Sequence, residues 1–373
     1  MQSVEFENFI DNSSNAKQQY STHGYFRFFG KLPPTTVSQI LNITTKEHTP
    51  EIIFDPMCGS GTVLVESKLR GINSFGVDIN PMFVEIARAK TTSFNAKTIS
   101  NELEGVMHEF LNSRYTIEIP ESKAFTHWFE TQTLKDLVLL NELIKGVQDQ
   151  KAKMFLQVAL YSIVRMCSRA SVRTGRLMLQ KDKKIPSVPE IFKEKVNSML
   201  KSVPNSNFTN STSKVFVEVG DAKKLRFKSE SMPFVFLHPP YFALYKYSSI
   251  YSLELDLFNF SRNILSKNEI REGFKTSDIS KFKDYMDDMT EVLGEVYRIT
   301  SMDGKLVLVN GNSKLKGEEL PVLENTIEIL DRLGFQTTRL FQRKVNYSQA
   351  SYHKTSNQVV MPKDWILFAE KVR

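Results

Sequence analysis

EIIFDPMCGSGTVLVESKLRGINSFGVD, residues 51–78, holds a strand, a turn, a helix and a second strand in that order. The apolar run EIIFD (51–55) has the length of a short buried strand. TVLVESKLRG that follows reads as a helix ended by Gly71, and SFGVD (74–78) as the next strand. Glycines 59 and 61 let the backbone turn sharply and come close to a ligand, and a helix N-terminus offers free N–H groups beside it. Asp78, about twenty residues past the turn, stands where α/β nucleotide binders put an acid for ribose hydroxyls. The turn is not a phosphate loop, because no Lys-Ser/Thr pair follows its last glycine.

The same rhythm returns later in the chain. KVFVEVGDA (214–222), FVFLHPP (234–240) and KLVLVNGN (305–312) are strand-like runs each closed by a turn signal. TTRLFQR (337–343) and DWILFAEK (364–371) are spaced to pair as an antiparallel ribbon. Strands alternating with helices predict a mainly parallel sheet covered on both faces. Between these halves, residues 97–210 read as helical. Thr133-x-x-Asp136 is an approximate capping box ahead of Leu134, Leu137, Leu140, Ile144 and Val147, which share a helical face. A second apolar helix is expected at about 152–170, and Trp128-Phe129 reads as core. KDKKIPSVPE and the polar stretch 202–213 read as loops.

The chain has 373 residues, 41% of them hydrophobic, enough for a large core. No window approaches eighteen consecutive apolar residues, and MQSVEFENFIDNSS lacks the order of a signal peptide, so a cytoplasmic protein without a membrane span is expected. Two cysteines and six histidines without ligand spacing predict no metal site. The formal net charge of +7 permits a polyanionic partner. Ten Lys/Arg against three acids between Arg165 and Lys201 carry an excess equal to that of the whole chain. Arg165, Arg169, Arg173 and Arg176, spaced 4, 4 and 3, would share one face of a continuous helix and could follow a phosphate backbone, or form a solvated face.

Asp55-Pro56-x-Cys58-Gly59-Ser60-Gly61-Thr62 resembles the first motif of S-adenosylmethionine-dependent DNA amino-methyltransferases of the adenine-N6/cytosine-N4 type, and GVDINP (76–81) resembles their second. VGDA (219–222) is similar to a third element, in which an acid meets the exocyclic amine of the cofactor's adenine. LHPPY falls where the family keeps Asp/Asn/Ser-Pro-Pro-aromatic. STHGYFRFFGKLPP (21–34) resembles the segment closing over the cofactor's methionine end, and suits equally an arm of aromatics packed on the sheet. The resemblance covers roughly 21–96 and 214–371. It implies a Rossmann-like class I methyltransferase fold: a seven-stranded, mainly parallel sheet, a C-terminal antiparallel ribbon and a helical insertion. The implied division is an N-terminal arm and cofactor-binding half (1–96), an insertion suited to target recognition (97–213) and a catalytic half (214–373).

The resemblance further implies S-adenosyl-L-methionine as cofactor, held by Asp55, Pro56, Cys58, Gly59, Gly61, Thr62, Asp78, Ile79, Asp221, Ala222 and Phe28, with Gly30 beside them. It implies methyl transfer to an exocyclic amino nitrogen of a flipped-out DNA base. Two acceptors aimed at that amine, here the side chain of His238 and the carbonyl of Pro239, would draw it toward a tetrahedral shape. Pro240 would stiffen the turn and Tyr241 stack on the base. His238 departs from the family: neutral imidazole offers one acceptor nitrogen and imidazolium none. Cys58 is expected to pack, since the reaction needs no covalent intermediate. A restriction or phage-defence nuclease is the implied partner. The basic, amide-rich stretch 343–358 suits base and phosphate contacts or an ordinary surface loop. Guanine-N2 methylation of transfer RNA, a catalytically weak nucleic-acid-binding relative and, more remotely, protein glutamine methylation are the alternatives.

Overall fold

Ten strands occur among the described residues: β1 (Phe6–Phe9), β2 (Ile52–Asp55), β3 (Asn73–Asp78), β4 (Val215–Val219), β5 (Met232–Leu237), β6 (Thr300–Asn310), β7 (Ser313–Leu315), β8 (Glu318–Leu320), β9 (Phe335–Lys344) and β10 (Lys363–Lys371). The computed structural model describes residues 6–9, 18–46, 48–113, 118–119, 123–202, 212–244, 246–271, 278–315, 318–344 and 363–372. Eight strands form one sheet in the order β1-β9-β10-β6-β5-β2-β3-β4, and β7 and β8 pair separately. The pairs β2–β3, β2–β5, β3–β4, β5–β6 and β1–β9 are parallel. β10 runs antiparallel to both neighbours, so the expected C-terminal ribbon is formed. The expectation of seven strands is corrected to eight, because Phe6–Phe9 of the N-terminal arm extends the sheet beside β9.

Continuous apolar runs arise because both sheet faces are covered. Phe234 and Phe236 of β5, with Val307 and Val309 of β6, pack on the side of Val37, Ile40 and Leu41 from the helix Pro34–Thr45. The intervening Val235, Leu237, Leu306 and Leu308 face Val292, Leu293 and Val296 of the helix Ser280–Ile299 on the other side.

The insertion is helical, with Ala96–Asn112, Lys123–Trp128, Thr131–Gly146, Gln150–Ile163 and Val188–Lys201. Its core is continuous with Met82, Phe83 and Ile86 beside the sheet and with Tyr25, Phe26 and Phe29 of the N-terminal arm. Leu134, Leu137, Leu140, Ile144 and Val147 are buried as the 3.6-residue period requires. Thr133 lies inside the helix, which starts at Thr131, so the expected capping box is not its N-terminus. The next helix starts at Gln150, where Asp149 caps it by accepting from the Ala152 N–H at 2.8 Å. It ends at Ile163, short of the expected 170. Of the basic stretch 343–358, only Arg343 and Lys344 lie within the described residues. No helix among the described residues is long and apolar enough to cross a membrane.

Candidate active site

The glycine turn leaves the end of β2 and enters the helix Thr62–Leu69. Gly59 and Gly61 have φ of +48° and +76°, the left-handed region that a Cβ disfavours. Asp78 organises the turn through both carboxylate oxygens: Gly59 N–H donates to one at 2.8 Å and Asn80 N–H to the other at 2.9 Å. Cys58 N–H donates to the Val77 carbonyl, tying the turn to β3. From below, the fully buried Lys90 donates to the Ser60 carbonyl at 2.8 Å and to its Oγ at 3.3 Å. Burial pushes the Lys90 ammonium well below its usual range, and the neighbouring Lys31 adds to this.

Phe28 of the arm lies over this turn. A Cβ on Gly59 would stand 3.1 Å from its ring, which also stacks on Tyr247 with centroids 5.4 Å apart. Phe28 faces the cleft, whereas Tyr25, Phe26 and Phe29 are core.

An open cleft of about 1030 Å³ joins the two turns. Its walls include Phe28, Asp55, Pro56, Cys58, Gly59, Thr62, Asp78, Ile79, Asp221 and Ala222, and also His238 and Pro240. Gly61 is the expected cofactor residue that does not line it. A Cβ there would stand 2.9 Å from that of Ala87, so this glycine allows two helices to touch. Sequence reading missed Lys31, Asn80, Phe83, Tyr247, Asn268 and Glu269 on the walls. Lys31 and Asn80 lie within the quoted stretches 21–34 and 76–81 without having been singled out, whereas Tyr247, Asn268 and Glu269 come from segments without a motif.

The cleft suits a cationic nucleoside. Burial pushes Asp55 up to about 8, with Asp78 nearby adding to the effect, and burial pushes Asp78 itself up to about 6. Two carboxylates that resist ionising alone would be stabilised as anions by a ligand cation. Asn80 accepts from Met82 N–H, and its Nδ2 is a buried donor with no partner among the described residues.

The proline turn follows β5. Tyr285 donates its hydroxyl to the Pro240 carbonyl at 3.0 Å and accepts from Asn310 Nδ2 at 3.0 Å. Ser313 Oγ donates to the Phe242 carbonyl at 2.8 Å. Ala243 takes φ +61°, a left-handed conformation that costs a residue with a Cβ about 1 kcal/mol. Among the described residues, the Pro239 carbonyl and the imidazole of His238 have no hydrogen-bond partner. The two acceptors expected to meet the amine are thus unengaged. Burial, reinforced by the Arg343 cation, pushes His238 down to about 3, which keeps the ring neutral and an acceptor at physiological pH.

Pro239 is buried behind the turn. Tyr241 is not on the cleft wall: its hydroxyl bonds to Asp364 and its ring stands edge-on to His238, with centroids 5.5 Å apart. The platform role expected of Tyr241 would need this ring to turn.

The four arginines do not share a helix face. The helix ends at Ile163, and 164–180 is a folded loop with one isolated bridge between Ala170 and Leu179. Arg165 is buried, donating to the carbonyls of Thr174, Gly175 and Ile250, so it fastens this loop and does not face a partner. Arg173 and Arg176 are exposed and Arg169 is half-buried. Trp128 N-terminal to the loop accepts from Arg169 N–H through its carbonyl, and Phe129 is core. Cys58 is buried and its thiol pushed well upward, chiefly by burial, which agrees with a packing role. No cluster of metal-ligating side chains occurs among the described residues.

A parallel sheet with one reversed strand, a glycine turn after one central strand and a proline turn after its neighbour define a methyltransferase of the Rossmann-like α/β class. The family model described as DNA methylase matches residues 2–89. The Type II methyltransferase M.MvaI of Kocuria varians is 24% identical over 382 residues, covering 95% of this chain and 81% of its own. M.MjaII of Methanocaldococcus jannaschii is 20% identical over 433 residues, covering 90% and 79%, and M.BsoBI of Geobacillus stearothermophilus 22% over 439 residues, covering 90% and 84%. The chain is thus similar to Type II DNA methyltransferases over most of its length, and the DNA methylase match spans the segment that carries the glycine turn.

Proposed function

We propose that this enzyme methylates the N6 of adenine or the N4 of cytosine in duplex DNA, with neutral His238 and the Pro239 carbonyl as the acceptors that orient the target amine. The observation that carries the reading is that Asp55, Gly59 and Asp78 line one cleft with His238 and Pro240. Bound there, the cofactor would supply an electrophilic methyl group on a sulfonium. Asp55 would face its cationic end, Asp78 its ribose hydroxyls and Asp221 its adenine amine, while Phe28 shields the turn from water. The exocyclic nitrogen's lone pair is delocalised into its ring. Acceptors aimed at the amine hydrogens favour the geometry in which that pair points at the methyl. His238 Nδ1 or Nε2 serves as acceptor only when unprotonated, a state its burial enforces.

The helical insertion would then carry target recognition, with Arg169, Arg173 and Arg176 as candidate phosphate contacts and Arg165 as their support. A Type II restriction setting, with a partner nuclease in the cytoplasm, fits the names borne by the three relatives. The deciding experiment incubates the purified protein with methyl-labelled cofactor and either duplex DNA or total RNA, then identifies the modified nucleoside by mass spectrometry. N6-methyladenine or N4-methylcytosine in DNA is expected. Label on RNA guanine would move the assignment to transfer RNA, and label in neither pool, rescued by His238→Asp, would mark a weakened relative.

A further inference from the structure

Beneath the catalytic turn lies a polar cluster that no motif announces. Arg343, near the end of β9, and Asp364, near the start of β10, face each other across the ribbon and form an ion pair, 4% and 5% exposed. Arg343 also donates to Thr36 Oγ1 at 3.3 Å. Asp364 accepts from the Tyr241 hydroxyl, and the Tyr241 ring abuts His238. Replacing a buried ion pair by apolar residues is often neutral or stabilising, so such a pair is weakly explained by stability. Here it sits against the one turn that is expected to touch the substrate amine. Residue 238 brings no carboxylate to that turn, and the ribbon delivers one to residue 241.

We propose that Asp364 and Arg343 are positioning residues for methyl transfer: Asp364 fixes the Tyr241 ring edge-on to His238, and Arg343 holds Asp364 while setting a cation beside the imidazole. This rests on His238 being the amine acceptor, as proposed above. Facing the imidazole are Tyr241 on its own turn and Arg343 from β9. Asp364 of β10 and Tyr285 of the helix Ser280–Ile299 stand behind Tyr241, and Asp55 and Asp78 line the same cleft. Two consequences separate this role from scaffolding. Loss of the Tyr241–Asp364 bond releases the ring and lowers kcat without changing cofactor affinity. Loss of the cation lets the imidazole protonate more readily.

The test uses the full chain carrying Asp364→Asn, Tyr241→Phe or the paired change Arg343→Met with Asp364→Asn, which removes both members of the ion pair. Methyl transfer to duplex DNA, cofactor Kd by calorimetry and the His238 titration by ring NMR are measured. Asp364→Asn and Tyr241→Phe are each expected to lower kcat about tenfold or more with cofactor Kd held within about twofold. In the paired variant the His238 titration is expected to move measurably upward, while burial, the larger cause of its depression, still holds it below the ordinary range. Should Asp364→Asn fail to fold, Tyr241→Phe keeps the ion pair and carries the same kinetic prediction. Unchanged kcat in Tyr241→Phe overturns the positioning of the ring, and an unmoved His238 titration in the paired variant overturns the electrostatic part. His238→Ala is the control for the underlying reading: if it retains full activity, the acceptor assignment fails whatever the ribbon variants do.

Discussion

The two turns that face the cleft are supported in opposite ways. The glycine turn is held by its near neighbours in sequence, Asp78 nineteen residues from Gly59 and Lys90 thirty from Ser60. The proline turn is held from afar, by Tyr285 forty-five residues past Pro240, Ser313 seventy-one past Phe242, and Asp364 on the last strand. The first turn's geometry follows from its own glycines. The second has no glycine, tolerates a left-handed Ala243, and depends on two hydroxyls and a carboxylate from three other elements. A turn built by local residues leaves a motif, and one held by distant hydroxyls leaves only its apex.

The largest effect should come from the glycine turn. Gly61→Ala places a Cβ at 2.9 Å from that of Ala87 and 3.2 Å from its Cα while keeping φ at +76°. Left-handed strain and overpacking together predict a loss of about 2–4 kcal/mol, read by urea unfolding. A smaller loss would mean that the two helices can part and that the turn is less rigid than its geometry implies.

The arginines of the insertion extend the contrast to a third region. Arg165 is buried, with three carbonyl acceptors and the Phe29 ring 5.1 Å from its guanidinium carbon, and its charge opposes the burial that pushes Glu254 upward. Arg165→Ala should cost about 2–3 kcal/mol in unfolding experiments. Exposed Arg173→Glu should stay within about 0.5 kcal/mol. It should instead reduce the slope of DNA affinity against salt by about 0.9 for each phosphate it no longer neutralises. Equal stability losses would erase the distinction between strut and phosphate clamp.

This is also where the sequence was legible and where it was not. The strand order around residues 51–78, the ribbon, the glycine turn and Asp78 follow from apolar runs, glycines and an acid at a fixed offset, which are local quantities, whereas Asp55 and Asp221 are carried by the resemblance. The spacing of Arg165, Arg169, Arg173 and Arg176 suggested a face, yet the helix stops at Ile163, because the chain then turns back to let Arg165 and Lys183 bond its carbonyls. Helical spacing specifies a face only while the helix lasts. Phe6–Phe9 has no alternation strong enough to mark it, and joins the sheet because β9 leaves an edge open. Tyr285, Asn310, Asp364 and Arg343 act through interactions between elements, on which no single-segment pattern reports.

The acids of the glycine turn give a titration that the proline turn should lack. In the ligand-free cleft Asp78 is pushed up to about 6 and Asp55 up to about 8, each above its ordinary value. Ionising either therefore opposes folding of the free protein as pH rises through that value, and a bound cation reverses the preference. Cofactor affinity should fall as pH drops from about 8 toward 6, by up to tenfold per unit for each proton taken up, and level off above. Calorimetry in buffers of different ionisation heat should show proton release on binding within that window. Affinity flat in pH would mean that neither acid meets the cation. His238, pushed down to about 3, should add no step to kcat over the same range.

The smallest change tests whether distant support matters at all. Tyr285→Phe removes one hydroxyl, the donor to the Pro240 carbonyl and the acceptor for Asn310 Nδ2, and leaves the ring packed between Phe242 and its helix. Leaving those two buried partners unsatisfied should cost about 1–2 kcal/mol. If the proline turn is held from afar, the same substitution should lower kcat several-fold while leaving cofactor affinity unchanged, because the bonds of Tyr285 go to Pro240 and Asn310 on the proline side of the cleft. Loss of stability with kcat intact would place the rigidity of the turn in Pro239 and Pro240 themselves. The two turns would then be alike in deriving their shape from their own residues, and the hydroxyls around 238–242 would serve the core alone.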